Sequence, residues 1–273
     1  FGESTEAAGA SEGSTGVTPF SLARATVTGG TVLIDDRRAG TREKLTGLDV
    51  ALSMPELVGP ATLKLSGLRG GAALSLEGTV GNARDLIAGR LTPVTARFEA
   101  AGGSARFEGR MSQALEAEGQ MRLSTSSTST FMQSLGLGAA ELPRGMGQAI
   151  DMTGQVTFSG GEVVNLRGMT LTLDQNTLTG DADIRLGGAK PQITAKLAAG
   201  ALDFTSLAAE GGSGGGGESR SGWSKTTIDA SGLAAVNAEM SLAVQSLDAG
   251  MIKLGASRLG VSLDNSRLVL KLP

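Results

Sequence analysis

Short stretches of alternating apolar and polar residues recur from Phe20 to the end of the chain. Clear examples are residues 31–34, 48–52, 61–65 and 74–77. Period-two alternation places one set of side chains on each face of a β-strand. Glycine, asparagine and aspartate separate the stretches, and these residues tolerate the positive φ of tight hairpin turns. The pattern therefore predicts strands joined as an antiparallel meander.

Turns and helices are predicted at specific places between these strands. The predicted turns are Gly29-Gly30, Gly70-Gly71, Gly81-Asn82, Gly102-Gly103, Gly160-Gly161, Gly187-Gly188 and Asp264-Asn265. Short helical turns are expected at 126–137, at 202–209 and, more weakly, at 233–236. Helix is thus a minor component of the expected fold.

An approximate internal repeat supports an elongated sheet. The segment 107–111 (FEGRM) aligns with 178–182 (LTGDA), and each is followed by a second alternating strand and then by a short helix. A unit that cannot cover its own apolar face stacks on its neighbours and extends the sheet.

Composition divides the chain into four parts. Residues 1–18 are small, polar and aperiodic, which is typical of a disordered lead-in. Residues 19–209 form the repetitive β-sheet region, and 210–222 (EGGSGGGGESRSG) is expected to be a flexible loop. Residues 223–273 are expected to start a further β region that is cut short, because the alternation is still running at the last residues.

Composition also limits the possible functions. Hydrophobic residues make up 40% of the 273 residues but aromatics only 3%, and there are 42 glycines. Few side chains or helices remain to cover a long sheet, so an uncovered apolar trough is expected, and such a trough is a ligand surface. The 24 basic and 27 acidic residues form no long block that could bind nucleic acid.

Catalytic chemistry has little support in this sequence. Histidine and cysteine are both absent, which removes the common general base, the thiolate nucleophile and the usual zinc ligands. Asp181 and Asp183 share one strand face, but calcium needs six to eight oxygens. Ser224 and Lys225 are adjacent, so on a strand or turn their side chains point to different sides and are not expected to share a proton. Residues 214–217 lack the Lys-Ser/Thr pair and the flanking strand and helix of a phosphate loop. We therefore expect no enzyme activity, no metal and no cofactor.

One block carries a family resemblance. Residues 223–242 (WSKTTIDASGLAAVNAEMSL) resemble the W-S-x-x-x-I-D-x-S-x-L stretch of AsmA-like proteins, and 254–270 (LGASRLGVSLDNSRLVL) resemble that family's following strands, with Ser266 where glycine is commoner. Residues 27–36, 45–50, 178–184 and 190–197 are similar to its repeating units. The resemblance covers most of residues 20–273.

The resemblance implies a fold and a location. It implies a periplasmic segment of a protein anchored in the inner membrane of a Gram-negative bacterium, with a part in outer-membrane biogenesis. Related proteins carry phospholipid along an apolar groove. Together with the repeats, the expected fold is mainly β: an elongated, curled antiparallel β-sheet built from approximate repeats, with a few short helices and an apolar concave face.

Two functions from different classes remain open. In the first, phospholipid acyl chains bind along alternate apolar residues. The residues expected to contact lipid are Leu171, Leu173, Ile184, Leu186, Leu259, Val261 and Leu263. In the second, the chain is a scaffold that contacts outer-membrane assembly proteins through its sheet edges by strand addition. The first predicts an open groove, and the second predicts a filled apolar face with edges free to pair.

Overall fold

The computed structural model of the chain describes residues 22–36, 41–139, 142–188, 190–206, 237–250, 252–264 and 267–271. Strands account for most of them. The strands are β1 (Leu22–Asp36), β2 (Thr41–Met54), β3 (Ala61–Arg69), β4 (Ala72–Val80), β5 (Thr92–Ala100), β6 (Gly103–Met111), β7 (Ala117–Thr125), β8 (Ile150–Ser159), β9 (Val163–Leu173), β10 (Asn176–Arg185), β11 (Gln192–Asp203), β12 (Asn237–Asp248), β13 (Lys253–Leu254), β14 (Ser257–Asp264) and β15 (Arg267–Lys271). The helices are α1 (Ala83–Ile87) and α2 (Thr128–Ser134).

All of these strands belong to one curled sheet that does not close on itself. Their order follows the chain from β1 to β12 and continues with β14 and β15, while the short β13 pairs with β12. Most neighbours pair antiparallel, as the alternation and the turn residues predict. The mainly β, repeat-like fold expected from the sequence is confirmed.

The pairing of β11 with β12 departs from the predicted meander. These two strands run parallel, from Gln192 opposite Asn237 to Asp203 opposite Asp248. A parallel pair needs a crossover connection of about a dozen residues or more, and residues 204–236 supply that length. The connection between Asp203 and Asn237 is therefore long enough for the two strands to pair in parallel.

The predicted turns at 70–71, 102–103, 160–161 and 187–188 lie at strand ends. The prediction for Gly29-Gly30 was wrong, because both residues lie inside β1. Gly29 has φ +65° and belongs to a β-bulge against β2, and its N–H donates to Asp49 Oδ1 at 2.9 Å. A glycine that suits a hairpin turn also suits a bulge, and the cross-strand carboxylate holds the bulge here.

The helices correspond partly to their predictions. α2 lies within the predicted 126–137, and its N-cap Ser127 accepts a hydrogen bond from Thr130 N at 3.3 Å. α1 was not predicted, since its N-cap Asn82 had been interpreted as a turn residue. In the predicted helix 202–209, the first two residues instead complete β11 and helical structure starts at Thr205. The predicted lead-in 1–18, the loop 210–222, the helical turn 233–236 and Asn265 of the predicted turn Asp264-Asn265 lie outside the described residues.

Candidate functional site: the apolar face of the sheet

The strand register aligns apolar side chains across the sheet. Directly opposed residues on neighbouring strands point to the same face. One such row crosses β1 to β12 and consists of Val27, Val50, Leu65, Leu76, Phe98, Ala105, Leu123, Met152, Leu171, Leu178, Ala199 and Val244. We call the side of the sheet that carries this row the apolar face. Period two extends it to the residues two positions before and after each member.

The opposite side, which we call the polar face, carries charged and hydroxyl residues. Ion pairs join its neighbouring strands, among them Lys64 with Glu77 at 3.0 Å and Arg167 with Asp183 at 2.6 Å. The side chains of Lys64 and Glu77 are 68% and 57% exposed, so this pair adds little to stability. The sheet therefore has one face suited to water and one suited to apolar partners.

Burial of the apolar face changes along the sheet. In β8 to β12 the side chains pack on one another in two clusters. The first cluster is formed by Val156, Leu166, Met169, Ala182 and Ala195, and the second by Leu178, Leu202 and Val244. In β2 to β7 many large apolar side chains keep part of their surface accessible. These are Leu48, Val50, Leu63, Leu65, Leu74, Leu76, Phe98, Phe107 and Met121.

Six of the seven residues predicted to contact lipid lie on the apolar face. Leu171 and Ile184 pack against the first cluster, and Leu173 packs against the second. In β14, Leu259 and Val261 are partly accessible, whereas Leu263 is only 6% exposed. The structure thus brings these six onto one face but spreads them over the more tightly packed part of the sheet.

Leu186 differs from the other six predicted contacts. It follows the end of β10 and is 46% exposed. Its backbone N–H donates to Glu162 O at 2.7 Å, which fixes it in the connection between β10 and β11. Leu186 therefore lies at the margin of the sheet.

The more accessible apolar residues of β2 to β7 were not among the predicted contacts. Their alternation at 48–52, 61–65 and 74–77 identified the strands, but alternation reports only which side a residue faces. How much of that side stays open depends on the curl of the sheet and on the elements that cover it. The register places Leu65 and Leu76 directly opposite each other, but only their burial in the folded sheet shows that this pair stays partly accessible.

Helix α2 covers the apolar face at one end of the central strands. The rings of Phe131 in α2 and Phe98 in β5 meet edge to face, with centroids 6.3 Å apart. Arg69, at the end of β3 and on the same face, donates to Ser134 O at 3.5 Å. Phe131 is buried together with Thr128 and Ser134, and its ring is the large apolar contact of this helix.

The segment after α2 is held by the carboxylate of Asp174, in the turn between β9 and β10. Its oxygens accept from the N–H groups of Gly145, Gly147, Gln148 and Ala149 at 2.7, 3.0, 3.2 and 2.8 Å. Burial would raise the pKa of Asp174, but these four bonds to its charged form outweigh burial and hold the pKa below its ordinary value. The sequence signal was the Asp-Gln-Asn turn at 174–176, which the alternation analysis did not single out.

The carboxylates that were considered for a cation have other partners. Asp183 pairs with Arg167, and Asp181 Oδ1 accepts from Gly168 N at 2.9 Å. In the part of the chain that the structure describes, no group of three or more acidic, histidine or cysteine residues is arranged to hold a metal ion. Ser224-Lys225 and 214–217 lie outside that part.

Comparison with known proteins gave no match to a family model, to a curated protein or to a solved structure. Within the described ranges, no helix has both the length and the apolar character needed to cross a membrane.

Proposed function

We propose that the apolar face binds the acyl chains of phospholipid, and that the chain is a periplasmic segment of an AsmA-like, inner-membrane-anchored protein with a part in outer-membrane biogenesis. The observation that carries the proposal is the row of apolar side chains that stays partly accessible from β2 to β7. The resemblance of residues 223–242 and 254–270 to AsmA-like proteins supplies the location and the lipid class.

The dimensions of this face suit an acyl chain. Six neighbouring strands have five spacings of about 4.8 Å, so the accessible part from β2 to β7 is roughly 24 Å across. An acyl chain in a bilayer spans one leaflet, which is about half of the roughly 30 Å hydrocarbon core. The accessible part of the face is therefore long enough for one acyl chain. Each methylene transferred from water to this face contributes about 0.8 kcal/mol, and no specific polar contact is required.

The test is a lipid extract of the purified chain analysed by mass spectrometry, followed by uptake of fluorescent phospholipid from vesicles. Leu65 and Leu76 stand opposite each other on the apolar face, so the double substitution L65Q/L76Q removes a central contact. A matched control is L68Q/A73Q, since Leu68 and Ala73 are opposed on the same two strands but on the polar face.

The proposal expects phospholipid with the parent chain and with L68Q/A73Q, and a several-fold loss with L65Q/L76Q. Circular dichroism establishes that each variant keeps its strands. Equal lipid in both double variants, or no lipid in the parent chain after incubation with vesicles, would show that the apolar face does not bind acyl chains.

A scaffold that accepts an added strand is the second candidate. It is favoured by the outer edge of β1, which spans Leu22–Asp36 and pairs with β2 on its other side. Among the described strands none pairs with this edge. Strand addition depends on backbone hydrogen bonds, so proline substitutions in β1 would abolish capture of an assembly protein while leaving lipid uptake intact.

A further inference from the structure

Three arginines stand side by side on the polar face. Arg97 in β5 lies directly opposite Arg106 in β6, and Arg106 lies directly opposite Arg122 in β7. Cβ atoms in such cross-strand pairs are about 4.5–5.5 Å apart, and like charges in these positions are destabilising. All three side chains are exposed. This row therefore concentrates positive charge on a chain whose formal net charge is −3.

Carboxylates neutralise this row unevenly. Arg97 Nε donates to Glu99 Oε1 at 2.8 Å, which satisfies the first arginine. The nearest Glu108 oxygen lies 3.9 Å from Arg106, which is beyond hydrogen-bond distance. For Arg122, the described part of the chain offers no carboxylate partner. The donors of Arg106 and Arg122 thus remain open to an anion from solution.

The two arginines border a shallow depression of about 330 Å³. Its other lining residues include Gln120, beside Arg122 on β7, and Thr153, directly opposite Arg122 on β8. An amide and a hydroxyl add neutral donors to the two guanidinium groups. Glu108 lies on the remaining side of the depression and disfavours a ligand that extends over it.

We propose that Arg106 and Arg122 bind a phosphate-type oxyanion, either free or as part of a lipid headgroup. Guanidinium groups form paired hydrogen bonds with phosphate oxygens, and a tetrahedral anion presents oxygens to donors on two sides at once. Binding would relieve the repulsion between the opposed arginines. The site is on the polar face, so it is independent of acyl-chain binding on the apolar face.

The first arm measures the thermal midpoint of the whole chain in inorganic phosphate and in sodium chloride of matched ionic strength. Screening alone is the same in both salts, whereas a bound ligand adds stability that grows with its concentration. Phosphate also stabilises folded proteins in general by exclusion from their surface. We therefore expect the rise in midpoint from chloride to phosphate to be larger for the parent chain than for R106Q/R122Q. The matched control is K196Q/R258Q, which removes two exposed positive charges elsewhere on the polar face and should keep the larger rise.

The second arm measures co-sedimentation with vesicles that contain phosphatidylglycerol, against vesicles of phosphatidylcholine alone. Sedimentation with the anionic vesicles that is lost in R106Q/R122Q but kept in K196Q/R258Q identifies an anionic lipid headgroup as the ligand. A rise in the thermal midpoint that depends on Arg106 and Arg122, without sedimentation, identifies free phosphate as the ligand. If both double variants behave like the parent chain in both arms, or if the two pairs of substitutions weaken binding equally, the proposed site is wrong.

Discussion

Asn176 and Asp203 are joined by a reciprocal pair of hydrogen bonds between a side chain and a backbone. Asn176 Oδ1 accepts from Asp203 N at 2.8 Å, and Asn176 Nδ2 donates to Asp203 O at 2.9 Å. The Asn176 side-chain amide therefore bonds to the backbone at the end of β11 in the way that a neighbouring strand would. Nδ2 also donates to Gly145 O at 2.9 Å, so one buried side chain connects β10, β11 and the segment that follows α2.

Replacing Asn176 with alanine should destabilise the chain by about 1–3 kcal/mol. Asn176 is only 1% exposed, and the substitution removes the bonds that its side chain makes to Asp203 N and Gly145 O in a place with little water. Urea unfolding followed by circular dichroism measures the change. The control is Thr179→Ser, because Thr179 is exposed on the same strand and the substitution should change stability by no more than about 0.5 kcal/mol. Equal effects of the two substitutions would contradict this account.

Asp174 makes stability depend on pH in the acid range. Its folded pKa lies below the unfolded value of 3.8, so its contribution is fully present above 3.8 and is lost as the pH falls through the folded pKa. The substitution Asp174→Asn keeps a residue that tolerates its φ of +56° but weakens the four backbone hydrogen bonds.

We expect Asp174→Asn to be less stable than the parent chain at pH 7 by about 1–2 kcal/mol. The difference should shrink as the pH falls below 3.8, because the carboxylate is protonated first in the unfolded chain and then, at its lower pKa, in the folded chain. Urea midpoints at pH 7, 5 and 3 measure both trends. A difference that stays constant from pH 7 to pH 3 would show that the charge of Asp174 is not responsible.

The glycine of the second predicted repeat is fixed by a close strand contact. Gly180 in β10 has φ +150°, and an added Cβ would overlap the carbonyl oxygen of Lys196 in β11. Because that atom belongs to the backbone, it cannot move aside cheaply. We expect Gly180→Ala to destabilise by about 2–5 kcal/mol, from the strain and the overlap together.

Gly200 is the matched control for Gly180. It lies in β11, and an added Cβ there would meet no atom within 4 Å. Gly200→Ala should therefore be neutral or stabilising by up to about 1 kcal/mol. Thermal unfolding of the two variants measures the contrast. If Gly180→Ala melts with the parent chain, the close approach of β10 and β11 is not as described.

The strands could be predicted because a strand with one apolar face shows alternating apolar and polar residues in its own sequence. In residues 61–65 the alternation alone places Leu63 and Leu65 on one side and Lys64 on the other, and the burial of β3 follows that order. Other features depend on residues far away in the chain. Gly29-Gly30 has the sequence of a turn, but Asp49 from the next strand holds it as a bulge. The parallel pairing of β11 with β12 likewise leaves no local pattern.

Side-chain accessibility on the apolar face is even less local. Leu263 and Leu65 have the same alternating surroundings, yet Leu263 is buried and Leu65 is partly open. The difference is set by the packing of neighbouring strands and by the elements over each end of the sheet. The sequence therefore predicted which residues share the apolar face, but it could not predict where along the sheet that face remains open.

Phe131 should control how much of the apolar face α2 covers. Its ring is buried against Phe98, and α2 spans only Thr128–Ser134, which is too short to be stable as an isolated helix. Phe131→Ala removes the largest apolar contact between the helix and the sheet, at a cost of about 3–5 kcal/mol. We expect faster hydrogen exchange at the amides of Phe131 and Leu135, which are bonded within this turn.

Release of α2 should also open the adjacent part of the apolar face. Phe131→Ala should then bind more of an apolar fluorescent dye than the parent chain, while the amides of β5 and β6 keep their slow exchange. The control is Gln133→Ala, since Gln133 lies in the same helix with its side chain exposed to solvent. Faster exchange throughout the sheet would mean that Phe131 supports the whole fold, and unchanged exchange in α2 would mean that the ring contact with Phe98 does not hold the helix in place.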